Sequence, residues 1–155
     1  MTINQPIEKV AQAYSTREYW EFIAEKLSPE PGELNEFADN TATLFEILPK
    51  SILPEAAQAM VSQDLKLKRV VTVGELDGDT AKHTMTGDVK GTPVDLGAEY
   101  TATRDGDNTK LDYEIEAMVN IPFMGPALEP KVADALEEIV ENEAKLTEQW
   151  ISENL

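Results

Sequence analysis

The chain has 155 residues, 13 of them basic and 30 acidic, so its formal net charge is −17; 41% of its residues are hydrophobic and none is cysteine. A chain of this length buries roughly 68 to 70% of the surface that its unfolded form exposes. We therefore expect one domain, 1–155. Without cysteine and with a single histidine, His83, the sequence excludes thiol nucleophiles and cysteine metal sites, and it predicts no metal and no cofactor.

Charge and hydropathy also restrict the partners. A strongly negative protein repels the phosphates of nucleic acids and anionic membrane surfaces, so neither is expected to bind. The first residues, MTINQPIEKV, lack the basic start and apolar core of a secretion signal, and no run of about 18 apolar residues occurs. The sequence therefore predicts a cytoplasmic protein without membrane insertion.

Two short helices are predicted near the N-terminus. Pro6 suits the first turn of a helix whose apolar spacing ends at a break at Ser15. Ser15 and Glu18 form a capping-box pattern, which predicts that a second helix begins there. The segment Ser28–Gly32, rich in proline and glycine, is expected to stop this second helix.

From Glu33 to Val119 the apolar period is two, which predicts an antiparallel meander. A short helix, Pro54–Val61, is expected to interrupt it. Asp77–Asp79 and Asp105–Asn108 are interpreted as turns in preference to calcium sites. The six predicted strands are Leu34–Ala38, Thr41–Leu48, Leu65–Leu76, Ala81–Val89, Val94–Arg104 and Thr109–Val119.

The last segment predicts one long amphipathic helix, Ala127–Glu153. At ~1.5 Å per residue it measures about 40 Å, close to the length of a twelve-residue strand. The predicted fold is α+β: a curved antiparallel β-sheet that grips a long C-terminal helix, with two short helices near the N-terminus. Because a curved sheet touches a straight helix only in places, a cavity between them is expected.

Strand parity predicts one polar row on the inner face of the sheet. With hairpin connections at Lys90–Pro93 and Asp105–Asn108, His83 lies opposite Tyr100, and Tyr100 lies opposite Tyr113. The row could orient a hydroxyl or carbonyl of a hydrophobic ligand; alternatively, each polar tip has an ordinary backbone or water partner. The predicted ligand-contacting residues are Arg69, His83, Met85, Tyr100, Tyr113 and Leu136.

Arg69 is in phase with this inner face, although a bulge at the doublet Val70-Val71 would turn it outward. Phe123–Pro126 is either a gate at the cavity mouth or a lead-in to the last helix. Four carboxylates of that helix are interpreted as a solvated face. They are Glu137, Glu138, Glu141 and Glu143.

Several segments carry a resemblance to a known superfamily. Two short helices, a curved meander and a long terminal helix resemble the START-like (helix-grip, SRPBCC) superfamily. More narrowly, PIEKV, REYW, LPKSILPEAAQAMV, IPFMG and a helix ending in LTEQW are similar to an actinobacterial START-like family of unknown function. The superfamily contains lipid carriers, plant hormone receptors and aromatic polyketide cyclases. Such proteins usually begin with a full strand, but only Met1–Asn4 precede Gln5 here, so we expect a first strand that is short or truncated.

The resemblance and the predicted cavity favour the binding or carrying of a hydrophobic small molecule, such as a lipid, a polyketide or an isoprenoid-like compound. One alternative is a cyclase-type enzyme that uses His83 as base together with Tyr100. Another is an acidic interaction module with a closed core. The sequence leaves the ligand and the oligomeric state open.

Overall fold

The computed structural model describes residues 1–27, 30–48, 59, 65–90, 94–120 and 125–155. Within these ranges the chain forms three helices and seven strands. The helices are α1 (Ile7–Tyr14), α2 (Arg17–Lys26) and α3 (Gly125–Asn154). The strands are β1 (Thr2–Ile3), β2 (Glu30–Ala38), β3 (Thr41–Leu48), β4 (Leu65–Thr72), β5 (Thr80–Lys90), β6 (Val94–Asp105) and β7 (Asn108–Val119).

The strands form one antiparallel sheet in the order β1-β7-β6-β5-β4-β3-β2. The predicted α+β architecture is confirmed: the two short helices and the long C-terminal helix accompany a curved meander. The expected short first strand is present as β1, which makes seven strands in the described residues where the meander alone predicts six. The predicted short helix Pro54–Val61 lies almost wholly outside the described residues.

Two predicted strand boundaries are wrong. β4 ends at Thr72 and not at Leu76, and beyond its end the Gly74 N–H donates to a side chain, His83 Nδ1, and not to the backbone of a neighbouring strand. β2 begins at Glu30, inside the predicted helix stop, and a register shift between Glu30 and Glu33 accommodates the irregular backbone.

The capping box predicted at Ser15 is also wrong. α2 begins at Arg17 after Thr16, and the described contacts include no side-chain cap there. The Ser15 hydroxyl instead donates to the Ala11 carbonyl, one turn back, at 3.0 Å. Ser15 therefore completes the end of α1 and does not start α2.

The core lies between the inner face of the sheet and the three helices. Along β6, inner residues such as Leu96, Ala98 and Ala102 are buried, whereas Asp95 and Glu99 face solvent. α3 buries one stripe, which includes Leu136, Val140, Ala144, Trp150 and Ile151. The sheet thus presents one face to the helices, and the site described below lies on that face.

Candidate functional site

The predicted polar row is present on the inner face. His83 pairs directly with Tyr100, and Tyr100 pairs directly with Tyr113, across β5, β6 and β7. The sheet register is continuous here because both hairpins have the expected lengths, with Val89 opposite Val94 and Arg104 opposite Thr109. The three side chains nevertheless have different surroundings.

His83 is buried, with 4% of its surface exposed. Its Nδ1 accepts a hydrogen bond from the Gly74 N–H at 3.0 Å, and the edge of its ring meets the Tyr14 ring at a centroid distance of 4.9 Å. Burial lowers the pKa of His83 to about 4, so the ring is neutral at pH 7. Since Nδ1 accepts this hydrogen bond, the hydrogen of the neutral ring is on Nε2.

The two tyrosines of the row differ in their hydroxyl groups. Tyr113 is half-buried, and its hydroxyl donates to Glu137 Oε1 at 3.3 Å near the surface. The Tyr100 hydroxyl is buried and has no hydrogen-bond partner among the described residues. Burial first, and then the negative charge of Glu143, raises the pKa of Tyr100 above its ordinary value. The Tyr100 hydroxyl is therefore a neutral, unused donor inside the fold.

Arg69 lies fully buried on the same inner face, and no bulge turns it outward. It pairs with Leu44 on β3 and with Gly87 on β5 in an uninterrupted register. Its Nε donates to Glu46 Oε1 at 2.8 Å, and its Nη1 donates to Glu143 Oε2 at 2.7 Å. Glu46, Arg69 and Glu143 thus form a charged triad, defined by these three residues, that connects β3 and β4 to α3.

The triad leaves two polar atoms without a directed hydrogen bond. Arg69 Nη2 lies 2.7 Å from Glu46 Oε1, which Arg69 Nε already occupies, so this contact is an ion pair without hydrogen-bond geometry. Glu46 Oε2 is buried and has no hydrogen-bond partner in the described part of the chain. Buried polar atoms in folded proteins nearly always have partners, so these two are unusual.

Burial and the neighbouring charges affect the pKa values of Glu46 and Arg69 differently. Burial raises the pKa of Glu46, the Glu143 charge adds to this, and the attraction of Arg69 only partly offsets them. Burial opposes the charge on Arg69, but the Glu143 and Glu46 carboxylates outweigh it and raise the pKa of Arg69 above its ordinary value. Arg69 is therefore a permanent cation between two carboxylates, and Glu46 is the carboxylate that takes up a proton more readily than in water.

A small cavity of about 20 Å³ lies beside Tyr100 and Glu143. That is room for about one water molecule or one small polar group. Other side chains of its wall are Tyr14, Trp20, His83 and Val140. The cavity wall is thus mostly apolar, and its polar residues are Tyr14, His83, Tyr100 and Glu143.

Met85 and Leu136, the two apolar residues predicted to contact a ligand, lie in the core and are 2% and 1% exposed. Neither lines the small cavity. Among the described residues, no cluster of three or more His, Asp or Glu side chains could hold a metal ion. No helix in the described ranges combines the length and apolar character that crossing a membrane requires.

The interpretation of the α3 carboxylates is wrong for one residue. Glu137, Glu138 and Glu141 are exposed, but the Glu143 side chain is only 12% exposed and binds Arg69. Glu143 follows Val140 by three residues and precedes Thr147 by four, so it lies on the buried stripe of α3. This spacing is a signal in the sequence that could have identified it.

Glu46 was also missed. It alternates with Ala42 and Leu44 on β3, which places a carboxylate at an inward position. Arg69 occupies an inward position on the neighbouring strand. Two inward residues of opposite charge on adjacent predicted strands indicate an ion pair, because neither charge is stable there alone.

Comparison with known proteins identifies a family for this chain. A family model described as protein of unknown function (DUF2505) matches residues 1–151. The chain belongs to the DUF2505 family. Uncharacterized proteins of Mycobacterium bovis and Mycobacterium tuberculosis are 22% identical to it over 163 residues, covering 96% of this chain and 92% of each relative.

Among solved structures, a conserved protein from Geobacillus kaustophilus is similar in fold. The TM-score is 0.64 at 10% sequence identity, and the match covers 99% of this chain and 92% of the other. A likeness at this identity concerns the fold alone. The chemistry of this DUF2505 protein depends on its own residues.

Proposed function

We propose that this DUF2505 protein is a START-like binding protein that holds a hydrophobic small molecule with a hydroxyl group between the sheet and α3. The observation that carries the proposal is the set of three buried polar atoms without hydrogen-bond partners in the described residues: Glu46 Oε2, Arg69 Nη2 and the Tyr100 hydroxyl. An unsatisfied buried polar group costs about 1 to 3 kcal/mol. A bound polar group that pairs with the Tyr100 hydroxyl, the one of these three atoms whose residue lines the small cavity, recovers this cost there.

The three atoms favour a hydroxyl over a purely apolar ligand. Tyr100 and Arg69 offer donors and Glu46 offers an acceptor, and a hydroxyl group both donates and accepts. Arg69 donates to Glu143, and Glu143 lines the small cavity together with Tyr100, which connects the triad to this wall. The cavity of about 20 Å³ beside Tyr100 has the size of one such group.

The apolar part of the ligand needs a separate surface. Val132 and Ile139 of α3 are only partly buried where they pack against the core. They flank Leu136, one of the residues expected to contact the ligand. In the proposal this face of α3, together with Met85 and the ring of Tyr113 on the sheet, contacts the ligand's hydrocarbon.

His83 gives the cyclase-type alternative less support. A general base needs a free lone pair on a nitrogen, but Nδ1 of His83 accepts the Gly74 N–H and Nε2 carries the ring hydrogen. Its pKa of about 4 also makes it a weak base at neutral pH. We therefore assign His83 a packing role in the wall of the cavity.

Two measurements test the proposal. Native mass spectrometry of protein purified without added ligand is expected to show a retained small molecule. In an NMR titration, the resonance of the single histidine reports on the cavity wall, and 1-decanol is expected to shift it much more than decane does. The alcohol and the alkane differ only in the hydroxyl group.

A pair of matched variants locates the polar contact. Tyr100→Phe removes the unpartnered hydroxyl and is expected to weaken 1-decanol binding by about two- to tenfold. Tyr113→Phe removes a hydroxyl that donates to Glu137 near the surface, so the affinity of this variant for 1-decanol is expected to equal that of the wild type. The proposal is wrong if no small molecule is retained and neither 1-decanol nor decane binds. The polar contact assigned to Tyr100 is wrong if both variants bind 1-decanol as tightly as the wild type does.

A further inference from the structure

Among the described residues, the backbone of the outer β7 edge has partners only near its two ends. β1 pairs with β7 at Lys110 and Thr109 alone, and the Leu111 N–H donates to the Met1 carbonyl at 2.9 Å. At the other end of the strand, the Val119 N–H donates to Glu129 Oε1 at 3.3 Å. The edge between these two contacts has no neighbouring strand within the described ranges.

The direction of the backbone N–H and C=O groups along this edge follows from the antiparallel pairing of β7 with β6. In an antiparallel strand, successive residues direct their N–H and C=O groups to alternate sides. Leu111 and Val119 direct theirs to the outer edge, so Tyr113, Ile115 and Ala117, which are in phase, do the same. No hydrogen bond to another described residue satisfies these three amides. Such an edge is a template for another strand.

The side chains along the edge define which strand fits. Asp112, Glu114 and Glu116 are exposed on the outer face of the sheet, whereas Tyr113, Ile115 and Ala117 are half-buried on the inner face. An added strand would place its outward residues beside the three carboxylates. Opposite charges at cross-strand positions are favourable and like charges are unfavourable.

Charge also argues against a second copy of this chain. Two β7 edges paired together would bring the carboxylates of both copies side by side, in a protein whose net charge is already −17. A strand with Lys or Arg on its outward side and apolar residues on its inward side complements both faces. We propose that the β7 edge from Tyr113 to Ala117 binds an extended segment of a partner protein in which basic and apolar residues alternate, by strand addition.

The probe is a capped synthetic peptide of about seven residues in which Lys and Val alternate, a length that matches the open edge at ~3.3 Å per residue. Binding is expected to slow hydrogen exchange at the amides of Tyr113, Ile115 and Ala117, and to weaken as salt is added. If the peptide does not bind, or if binding protects amides elsewhere and leaves these three unchanged, the proposal is overturned.

Matched variants separate edge pairing from general attraction. The double change Glu114→Lys with Glu116→Lys is expected to weaken binding by about three- to thirtyfold. The double change Glu33→Lys with Glu36→Lys makes the same change in charge at exposed positions of β2, the opposite edge strand, and is expected to have a much smaller effect. Equal weakening by the two double variants would show attraction to the overall charge and overturn the proposal.

A proline at the edge tests the backbone. The Ala117 N–H faces the edge and not β6, so Ala117→Pro removes an edge donor while the β6 ladder keeps its hydrogen bonds. Peptide binding is expected to be lost in a variant whose exchange pattern in β6 is otherwise that of the wild type. Sedimentation without peptide tests whether the protein forms a dimer, and hydrogen exchange tests whether such a dimer protects the same three amides. If it does, the partner is a second copy of this chain, and the proposed basic partner segment is refuted.

Discussion

Replacing Arg69 by methionine is expected to destabilise the protein strongly. Arg69 is the only cation of the triad and is fully buried, so Arg69→Met leaves two buried carboxylates facing each other. Removing one partner of a buried ion pair costs about 3 to 5 kcal/mol. That is a large part of the ~5 to 15 kcal/mol by which a typical domain is stable. Urea unfolding followed by tryptophan fluorescence measures it, since Trp20 and Trp150 are 1% and 6% exposed.

Arg104→Met is the matched control. Arg104 also has two carboxylate partners, Glu8 and Asp79, but its side chain is 34% exposed. Ion pairs in contact with solvent contribute about 0 to 1 kcal/mol, so this variant should unfold at nearly the wild-type urea concentration. Equal destabilisation by Arg69→Met and Arg104→Met would refute the buried triad.

The loss of stability caused by Arg69→Met should depend on pH, because Glu46 titrates differently in the folded and unfolded states. Its folded pKa lies above the ordinary value of 4.5, so Glu46 contributes stability below that value and loses it as the pH rises through the raised pKa. Arg69→Met also removes the positive charge that holds this pKa down. The destabilisation, taken relative to Arg104→Met at each pH, is therefore expected to be smaller in acid and larger toward neutral pH.

Three further outcomes are expected. Leu136→Ala should cost about 2 to 5 kcal/mol in urea unfolding, because Leu136 lies on the buried stripe of α3 and is 1% exposed. The change Glu137→Ala at the neighbouring exposed position should cost little, and similar values for the two variants would contradict the packing of α3 on the sheet. The single histidine resonance should titrate near pH 4, and stability from neutral His83 should fall as the pH falls from 6.5 through 4, by up to about 3 kcal/mol; titration near 6.5 would contradict its burial. Gel-shift assays at low salt should show no DNA or RNA complex, because seventeen net negative charges repel phosphates; a shifted band would disprove this exclusion.

The sequence was sufficient for the sheet register on the inner face. Alternation assigns each residue to a face, and the hairpin lengths determine which residues lie opposite one another, so the pairs His83–Tyr100 and Tyr100–Tyr113 could be predicted. The alternation along a strand does not determine how deeply a side chain is buried. Tyr113 lies on the strand next to the short β1, whereas Tyr100 lies one strand further in, so only the second has a buried hydroxyl.

The partners of Arg69 could not be predicted in the same way. Glu46 is 23 residues away along the chain and Glu143 is 74 residues away. The first contact depends on the pairing of β3 with β4 across a long connection, and the second depends on where α3 crosses the sheet. Neither the pairing of the two strands nor the position of α3 is determined by the local sequence. The local sequence determines only that Glu46 points inward on its strand and that Glu143 lies on the buried stripe of its helix.

Replacing the whole triad separates a role in recognition from a role in folding. The triple change Glu46→Leu, Arg69→Met and Glu143→Leu removes all three charges together, so no charge is left buried alone. Apolar replacement of a buried ion network is often neutral, or stabilising by about 1 to 4 kcal/mol, whereas Arg69→Met by itself is expected to be strongly destabilising. If the triad recognises a ligand hydroxyl, the triple variant should unfold at or above the wild-type urea concentration but should no longer prefer 1-decanol to decane. A stable triple variant that keeps this preference would show that the triad does not recognise the hydroxyl, because the charges would then contribute to neither the fold nor the selection of the ligand.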